Sequence, residues 1–331
     1  MNRAVRLGSL EQLGQSVPEA NIHANFERWK SLGEGKTAMV TGANAGLGFF
    51  ASLGLAAAGA HVILACRNQS RAEKAMAAIQ ARVPGASVEF MQFDAGSMLS
   101  AMSLAAELRS RQLDILVANA GMIRTPAQRE EGALGYEKTM TTNVLGHARL
   151  IGELAEKFKV GNLRLISLGS MSTLLMRTDP SNLKLEHDYN PYRAYVQSKA
   201  VLQSMGIGLD HRLRQLQWPA RSVAVHPGYS ISGLTPEIEG INEPDFAQRF
   251  AGRLQGSFAQ GKHEGSVAIV EAALNQRLDR CAPGVFFGPQ WTSKGRISLA
   301  RPANVTRSKV LQDAAWEILI QANEGLDPFA L

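Results

Sequence analysis

Short apolar runs alternate along the chain with longer stretches rich in alanine, leucine and charged residues, starting near Lys36. The runs cover residues 38–40, 61–65, 88–93, 115–118, 163–168, 222–226 and 284–287. Each run is almost continuously apolar, which is typical of strands buried on both faces of a parallel sheet. The pattern therefore predicts an α/β fold, with one doubly wound parallel sheet of about seven strands and helices on both faces.

The stretches between these runs predict helices, among them residues 70–82, 98–111 and 136–158. A last helix is predicted over residues 308–321, with Trp316 on its apolar face. Residues 1–35 precede the alternation as an N-terminal extension. Phe26 and Trp29 either attach it to the body or leave it as a loosely ordered leader. The main domain is predicted over residues 36–331.

The composition allows a sizeable core and carries only a mild positive charge. Apolar residues make up 45% of the 331 positions, and 35 Lys and Arg against 29 Asp and Glu give a formal net charge of +6. The basic side chains are scattered, so the sequence gives little support to a nucleic-acid partner. A cofactor that carries phosphates suits this balance.

Cysteine and histidine usage argues against metal chemistry. Cys66 and Cys281 are the only cysteines, and the seven histidines show no H-x-x-x-H spacing, so we expect neither a disulfide framework nor a metal site. The first 35 residues have no apolar core of signal-peptide length, and no apolar stretch reaches about 18 residues. We expect a cytoplasmic protein without a membrane anchor.

A glycine-rich turn joins the first apolar run to a helix of small residues. The turn reads Thr41-Gly42-Ala43-Asn44-Ala45-Gly46-Leu47-Gly48. Its glycines permit a tight turn and let the backbone approach a diphosphate at the N-terminus of the following helix. The turn predicts a dinucleotide site that includes Gly42, Asn44, Gly46, Leu47 and Gly48.

The second apolar run ends in Cys66-Arg67-Asn68, where sheets that bind NAD carry an acidic residue for the ribose hydroxyls. No carboxylate stands there, and the planar donors of Arg67 suit a 2′-phosphate. We therefore predict NADP(H) rather than NAD(H), bound with the help of Arg67 and Asn68.

Tyr195 and Lys199 are four residues apart and therefore share one face of a predicted helix. A tyrosine with its ordinary pKa is a poor base at neutral pH, and a neighbouring ammonium is expected to lower that pKa. Ser170, at the end of the fifth run, can donate a hydrogen bond to a reacting oxygen. The three side chains predict acid–base chemistry at a carbonyl or alcohol.

Four motifs in this order, TGANAGLG, NAG, the Ser170 segment and YVQSK, make residues 36–300 resemble the short-chain dehydrogenase/reductase family. The resemblance implies one Rossmann-type domain with Ser170, Tyr195 and Lys199 as the catalytic triad. It also implies that Asn143 holds a water molecule that relays protons to Lys199. Lys199 would in addition bind the nicotinamide ribose together with Tyr195.

The same resemblance assigns further residues to the cofactor site. Asp94 with Ala95 would lie near the adenine, and Asn119, in Asn119-Ala120-Gly121, would brace the central strand. Pro227-Gly228 would form the turn beneath the nicotinamide, with Ser232 in the place of a threonine that is usual in the family.

The motifs ACRN, TNVLGH and HPGYS resemble the retinol-dehydrogenase-like subgroup and its bacterial relatives, although the leader here is polar. Residues 174–193 form an insertion expected on the substrate side, where Tyr189 and Tyr192 either line the pocket or belong to a surface loop. Many relatives self-associate through the helices that carry Asn143 and Tyr195, so a homo-oligomer is possible unless the C-terminal part blocks it.

The combined prediction is an NADP(H)-dependent oxidoreductase that interconverts a ketone or aldehyde and an alcohol. A lid is predicted over residues 229–260, and its apolar side chains favour a medium-to-large apolar substrate such as a polyketide, terpenoid, steroid or lipid carbonyl. Those side chains are Ile231, Leu234, Ile238, Ile241 and Phe246. Two alternatives stay open: the lid packs onto its own protein, or the chain is a catalytically silent NADP(H)-sensing protein.

Overall fold

Ten strands run through residues 15–330, the part of the chain that the computed structural model describes. In chain order they are β1 Thr37–Thr41, β2 His61–Cys66, β3 Val88–Gln92, β4 Ile115–Ala118, β5 Arg164–Leu168, β6 Arg221–Val225, β7 Ser230–Ile231, β8 Gln260–Gly261, β9 Phe286–Pro289 and β10 Ile297–Leu299. Strands β7 and β8 pair only with each other, and the other eight form one sheet.

The eight-stranded sheet has the order β10-β9-β6-β5-β4-β1-β2-β3, and only β10 runs antiparallel to its neighbour. The predicted doubly wound α/β fold is confirmed, and each predicted apolar run contributes a strand. The eighth strand, β10, escaped prediction because its three residues lie at the sheet edge and are only partly buried. The strand order reverses between β1 and β4, and open α/β sheets bind ligands beside the carboxyl ends of such strands.

The helices cover both faces of the sheet. In chain order they are α1 Phe26–Trp29, α2 Gly46–Ala57, α3 Gln69–Arg82, α4 Met98–Leu108, α5 Lys138–Met140, α6 Gly146–Glu153, α7 Ala155–Val160, α8 Pro191–Gln215, α9 Phe246–Gln255, α10 Lys262–Leu274 and α11 Lys309–Ala322. Along β1, Met39 packs into the core beneath α4, α6, α8 and α11, while Ala38 and Val40 pack beneath α2, α3 and α10. This alternation follows from the two-residue period of a strand.

The predicted helix over residues 136–158 is interrupted in the structure. A π-helical turn, Thr141–Leu145, separates α5 from α6, and Leu154 separates α6 from α7. Such turns widen a helix by one residue and occur frequently at functional sites. The turn holds Asn143, so the interruption lies where the sequence predicted a functional side chain.

The ion pair of Asp210 and Arg221 ties α8 to the sheet. Asp210 is fully buried, and its carboxylate accepts hydrogen bonds from Arg221 Nε (2.8 Å), Ser222 N (3.0 Å) and Gly284 N (2.9 Å). Because Tyr195 and Lys199 lie on α8, these bonds fix the helix that carries the predicted catalytic pair.

The described part of the N-terminal extension packs on the main domain. Trp29 is buried, its Nε1 donates to Glu271 Oε1 (2.8 Å), and its ring lies against Gly54. Phe26 packs partly buried on the same core. These contacts favour attachment over a loose leader for residues 15–35, while residues 1–14 lie outside the described residues.

The segment predicted as a lid, residues 229–260, is largely packed against its own protein. Ile238 and Ile241 are buried in the main core. Arg249, only 3% exposed, donates to the carbonyl oxygens of Gly233 (3.2 Å) and Thr235 (2.6 Å). The two isoleucines are therefore unavailable to a substrate.

Candidate active site

A cavity of about 1230 Å³ opens at the carboxyl ends of the central strands. It brings together most of the residues that the sequence predicted for the site. These are Gly42, Asn44, Gly46, Leu47, Gly48, Arg67, Asn68, Asp94, Ala95, Asn119, Ala120, Gly121, Ser170, Tyr195, Lys199, Pro227 and Gly228. Asn143 and Ser232 do not line it.

The glycine turn forms one wall of the cavity. Gly42 and Gly46 have φ angles of +66° and +60°, which favour glycine. A Cβ on Gly48 would lie 2.5 Å from both Asn119 Nδ2 and Gly42 O, so the turn closes tightly beneath the first residues of α2. Above Gly46 the space is open except for the side chain of Lys262. The open helix N-terminus fits a diphosphate.

Asn119 and Thr41 lock the turn to the adjacent strand. Asn119 Nδ2 donates to Thr41 O (2.7 Å), and the backbone nitrogens of Asn119 and Ala120 both donate to Thr41 Oγ1 (2.9 Å each). Asn119 thus holds β4 against β1, in the bracing position that the resemblance implied.

Two arginines stand at the far end of the cavity, near the end of β2. Arg67 and Arg71 are exposed and line the wall. Asn68 Oδ1 accepts from Arg71 N (2.9 Å) and caps α3, which places Arg71 in the first turn of that helix. The sequence analysis missed Arg71, although its place four residues after Arg67 could have indicated it.

Cys66 ends β2 where NAD-binding sheets carry a carboxylate. It is buried, and burial raises the pKa of its thiol to about 11, so the side chain is uncharged at neutral pH. Asp94, at the end of β3, accepts a hydrogen bond from Gly96 N (2.9 Å) through Oδ1. The arginine end of the cavity therefore has no carboxylate on β2 to oppose an added phosphate.

Tyr195 and Lys199 lie on α8, whose start is fixed by Asn190. The Asn190 side chain accepts from Tyr192 N (2.9 Å) and Arg193 N (3.1 Å), and Pro191 occupies the first helical position. Lys199 is 6% exposed and its Nζ donates to Leu168 O (3.3 Å). Burial lowers the pKa of Lys199 to about 8, so its ammonium is still charged at neutral pH.

The pKa of Tyr195 moves opposite to the prediction. Burial raises it above its ordinary value, although the hydrogen bond with the Ser170 hydroxyl opposes the shift. The net pKa of Tyr195 is therefore raised rather than lowered, because the loss of water around the phenolate outweighs the groups that stabilise it. The phenol keeps its proton at neutral pH.

The Ser170 hydroxyl lies between Ser172 and Tyr195. Its Oγ accepts hydrogen bonds from the backbone nitrogen (3.2 Å) and the hydroxyl (2.9 Å) of Ser172. The Ser170 hydroxyl keeps one proton to donate, and the phenol oxygen of Tyr195 is an acceptor within its reach. Ser172 also lines the cavity, and the sequence analysis missed it although it lies in the same segment as Ser170.

Asn143 braces the cavity wall from behind. Its Oδ1 accepts from Met122 N (2.7 Å), and its Nδ2 donates to Ser198 Oγ (2.8 Å). Ser198 Oγ in turn donates to Tyr195 O (2.8 Å). The side-chain amide therefore connects the loop after β4 to α8, and its role in a proton relay stays a prediction.

After the Pro227-Gly228 turn, the chain lines the cavity with Ser230 and Ile231 instead of the predicted Ser232. Gly228 has a φ of +68°, and Ser230 and Ile231 then pair with β8 along the cavity. Ser232 already belongs to the next turn, Ser232–Leu234, so the chain has left the wall by that point. Of the five apolar side chains predicted for the lid, only Ile231 lines this cavity.

The insertion over residues 174–193 reaches the cavity through two side chains. Leu175 and Tyr192 line the wall and are 71% and 46% exposed. Tyr189 instead donates from its hydroxyl to Pro126 O (2.8 Å) and does not line the cavity. Of the two alternatives that the sequence left open, Tyr192 follows the first, since it lines the pocket, and Tyr189 does not.

Residues 15–330 contain neither a metal-binding cluster nor a membrane-spanning helix. Between residues 15 and 330, no three His, Cys, Asp or Glu side chains are grouped so that they could hold a metal ion. No helix in this same range combines the length and the apolar character needed to cross a membrane.

Comparison with known proteins identifies relatives of the chain. The family model for short chain dehydrogenase matches residues 36–239. Retinol dehydrogenase 13 of Homo sapiens is 35% identical over 205 residues, which make up 60% of this chain and 60% of that protein. Retinol dehydrogenase 11 of Mus musculus is 31% identical over 287 residues, 86% of this chain and 85% of that protein. Polyprenol dehydrogenase of Mus musculus is 29% identical and covers 85% and 82%, respectively.

Solved structures show the same fold. An uncharacterized protein from Mycobacterium paratuberculosis has a TM-score of 0.70 and 25% identity, covering 90% of this chain and 96% of that chain. A short chain dehydrogenase from Shigella flexneri complexed with NADP has a TM-score of 0.57 and 18% identity, covering 78% and 98%. At that identity the second likeness shows the fold alone.

Proposed function

The chain belongs to the short-chain dehydrogenase/reductase family of oxidoreductases, and from this premise we propose that it uses NADP(H) to interconvert a ketone or aldehyde and an alcohol. The observation that carries the proposal is one cavity in which the glycine turn lies on one wall and Ser170, Tyr195 and Lys199 lie on another. Such a cavity offers a cradle for a dinucleotide and a proton donor for a developing alkoxide.

The residues of the cavity have separate roles in the proposed carbonyl reduction. When bound, NADPH supplies the hydride for the carbonyl carbon. The Ser170 hydroxyl donates to the carbonyl oxygen and orients it, and Tyr195 donates its proton to that oxygen. The buried ammonium of Lys199 stabilises the phenolate that remains. In the reverse direction the Tyr195 phenolate accepts the proton of the alcohol.

The choice of NADP(H) over NAD(H) rests on the charges at the end of β2. Arg67 and Arg71 supply two guanidinium groups to this part of the cavity, while Cys66 supplies no charge. Guanidinium groups bind phosphate oxygens through two parallel hydrogen bonds, so this corner suits a 2′-phosphate.

The substrate side of the cavity is apolar, which supports a medium-to-large apolar substrate. Ile123 and Leu175, which are 75% and 71% exposed, line the cavity together with Met122, Met171 and Tyr192. Two relatives are named for retinol and polyprenol, which are isoprenoid alcohols. Among polyketides, terpenoids, steroids and lipid carbonyls, we favour the terpenoid class.

The expected contact between copies through α6 and α8 is not proposed, because α11 packs on both helices. Asn323 Nδ2, just after α11, donates to Ala148 O (3.2 Å) on α6. Gln203 Nε2 on α8 donates to Thr306 Oγ1 (2.9 Å). The C-terminal part thus covers the faces through which many relatives self-associate.

Cys66 and Cys281 are both free thiols, which supports the proposed cytoplasmic location.

The proposal is tested by mixing the full chain with NADPH and a panel of terpenoid, steroid, polyketide and fatty aldehydes and ketones. Loss of NADPH absorbance with formation of the matching alcohol is the expected result. Tight NADPH binding without turnover of any carbonyl, and without NADP-dependent oxidation of the alcohols, would instead support the silent sensing protein. Absence of dinucleotide binding would overturn both.

The Arg67→Ser variant is expected to bind NADPH about ten- to a hundredfold more weakly, because it loses charge-assisted hydrogen bonds to the 2′-phosphate. NADH, which lacks that phosphate, should bind as it does to the unchanged protein. Titration calorimetry with both cofactors measures the difference. Arg301→Ser, which removes an exposed arginine outside the cavity, is the matched control. Equal weakening of NADH and NADPH binding would contradict the assignment of Arg67.

A further inference from the structure

Lys262 reaches the cavity from a distant part of the chain. It is the first residue of α10, follows the segment 229–260, and lines the same cavity as the glycine turn. Its Nζ lies 4.0 Å from the position that a Cβ on Gly46 would occupy. The ammonium is therefore placed beside the N-terminus of α2, where the turn is otherwise open.

Helices α2 and α10 run parallel, so their N-termini meet at this point. Roughly two turns after Gly46 and Lys262, Gly54 of α2 faces Val270 of α10, and a Cβ on Gly54 would lie 2.8 Å from Val270 Cγ2. Each helix N-terminus carries a partial positive charge from its unpaired N–H groups. The start of α10 is capped by Thr235 and Glu264, so the open N-terminus of α2 and the Lys262 ammonium place two positive contributions around one space.

The position of Lys262 is fixed, and its charge has no counterion in the described structure. Its backbone nitrogen donates to Thr235 Oγ1 (2.8 Å), and Thr235 is itself held by Arg249. Within residues 15–330, no carboxylate lies within ion-pair distance of its Nζ. The carboxylate of Glu264 accepts instead from Gly261 N (2.7 Å), and Glu264 lines a different cavity, on the side of the N-terminal extension.

We propose that Lys262 binds the diphosphate of the dinucleotide, so that the segment after residue 229 contributes directly to cofactor binding. The assignment rests on the proposed use of a dinucleotide and adds a residue that none of the sequence motifs contains. A partly buried ammonium that faces an open helix N-terminus suits a doubly charged diphosphate better than it suits an apolar substrate.

The test compares Lys262→Met with the unchanged protein and with Lys294→Met. Lys294 is also half-buried, but it lines the other cavity, so its replacement removes the same charge at a distance from the proposed site. Binding of NADPH is followed by its fluorescence, and adenosine 2′-phosphate, which has no diphosphate, is measured by displacement. We expect Lys262→Met to weaken NADPH binding about tenfold and to leave adenosine 2′-phosphate unchanged.

The remaining outcomes separate this assignment from the proposed function. Lys262→Arg should recover most of the NADPH affinity, and the unfolding temperature of ligand-free Lys262→Met should match that of the unchanged protein. If the unchanged protein binds no dinucleotide, the proposed function fails. If it binds NADPH and Lys262→Met binds equally well, the assignment of Lys262 alone is overturned. Equal weakening of NADPH and adenosine 2′-phosphate, or equal effects of Lys294→Met, would overturn it as well.

Discussion

The Tyr195→Phe variant is expected to lose about a thousandfold in kcat for carbonyl reduction, a typical contribution of a positioned general acid. NADPH binding should weaken by a few-fold at most, because the phenyl ring keeps the volume of the side chain and only one hydrogen bond to the nicotinamide ribose is lost. Steady-state kinetics with the best carbonyl of the panel gives kcat, and NADPH fluorescence gives the dissociation constant. A large loss of kcat with unchanged cofactor affinity separates chemistry from binding.

Tyr189→Phe is the matched control, since it removes the same hydroxyl from a tyrosine outside the cavity. Its hydroxyl donates to Pro126 O, away from the cavity, so we expect nearly unchanged kcat and a small loss of stability. Full turnover by Tyr195→Phe with every carbonyl would show that another group donates the proton. An equal loss in both variants would show that the hydroxyl of Tyr195 has no special role.

The raised pKa of Tyr195 bears on the direction of the reaction. A phenol that holds its proton at neutral pH is ready to act as an acid, which suits reduction of a carbonyl. Oxidation of an alcohol needs the phenolate, which burial disfavours. The proton on Tyr195 thus supports its proposed role as the acid in carbonyl reduction, while the direction of the net reaction follows from the concentrations of substrate, product and cofactor.

The sheet could be predicted because its signals are local. The buried strands are almost continuous apolar runs, and the helices between them have the right length. Strand β10 gives no such signal, since its three residues sit at an edge where burial is incomplete. The break at Thr141–Leu145 also escaped prediction, because it depends on bonds from Asn143 to Met122 and Ser198 that only the folded chain brings together.

The candidate site shows the same division between local and distant signals. Gly42, Tyr195 and Lys199 lie in short motifs whose spacing already implies their chemistry. Lys262 lies more than 60 residues after Lys199, and only the parallel packing of α2 and α10 brings it to the glycine turn. Apolar character alone left Ile238 with two alternatives, a substrate or its own core, and the structure places it in the core.

Two buried histidines, His147 and His226, are expected to make the protein sensitive to acid. Burial lowers the pKa of each to about 4, whereas an unfolded histidine titrates near its ordinary value of 6.5. Between these values the unfolded chain binds a proton that the folded chain does not, so stability falls as the pH falls from 6.5 towards 4. From about pH 7.5 to about pH 5 we expect a loss of about 2 kcal/mol for each histidine.

The surroundings of the His147 and His226 rings explain why the charged, doubly protonated form of each is disfavoured. His147 Nε2 lies 2.9 Å from Thr41 Oγ1, which already accepts from Asn119 N and Ala120 N, so a proton on Nε2 would face an oxygen without a free lone pair. His226 stacks on Phe286, and its Nδ1 is buried without a hydrogen-bond partner among the described residues. Between residues 15 and 330, neither ring has a carboxylate partner that would stabilise its charged form.

The acid effect is measured by denaturant unfolding at several pH values, in the unchanged protein and in His226→Phe. The phenyl ring keeps the stacking on Phe286 and cannot titrate, so the variant should lose about 2 kcal/mol less between pH 7.5 and 5. His187→Phe, which replaces an exposed histidine, should lose as much as the unchanged protein. If His226→Phe also retains the full loss, the neutral buried ring is not its source. A reduced loss would link the acid sensitivity to His226. Because His226 lies between β6 and the Pro227-Gly228 turn, which lines the cofactor cavity, the result would also link that sensitivity to the folding of the cavity.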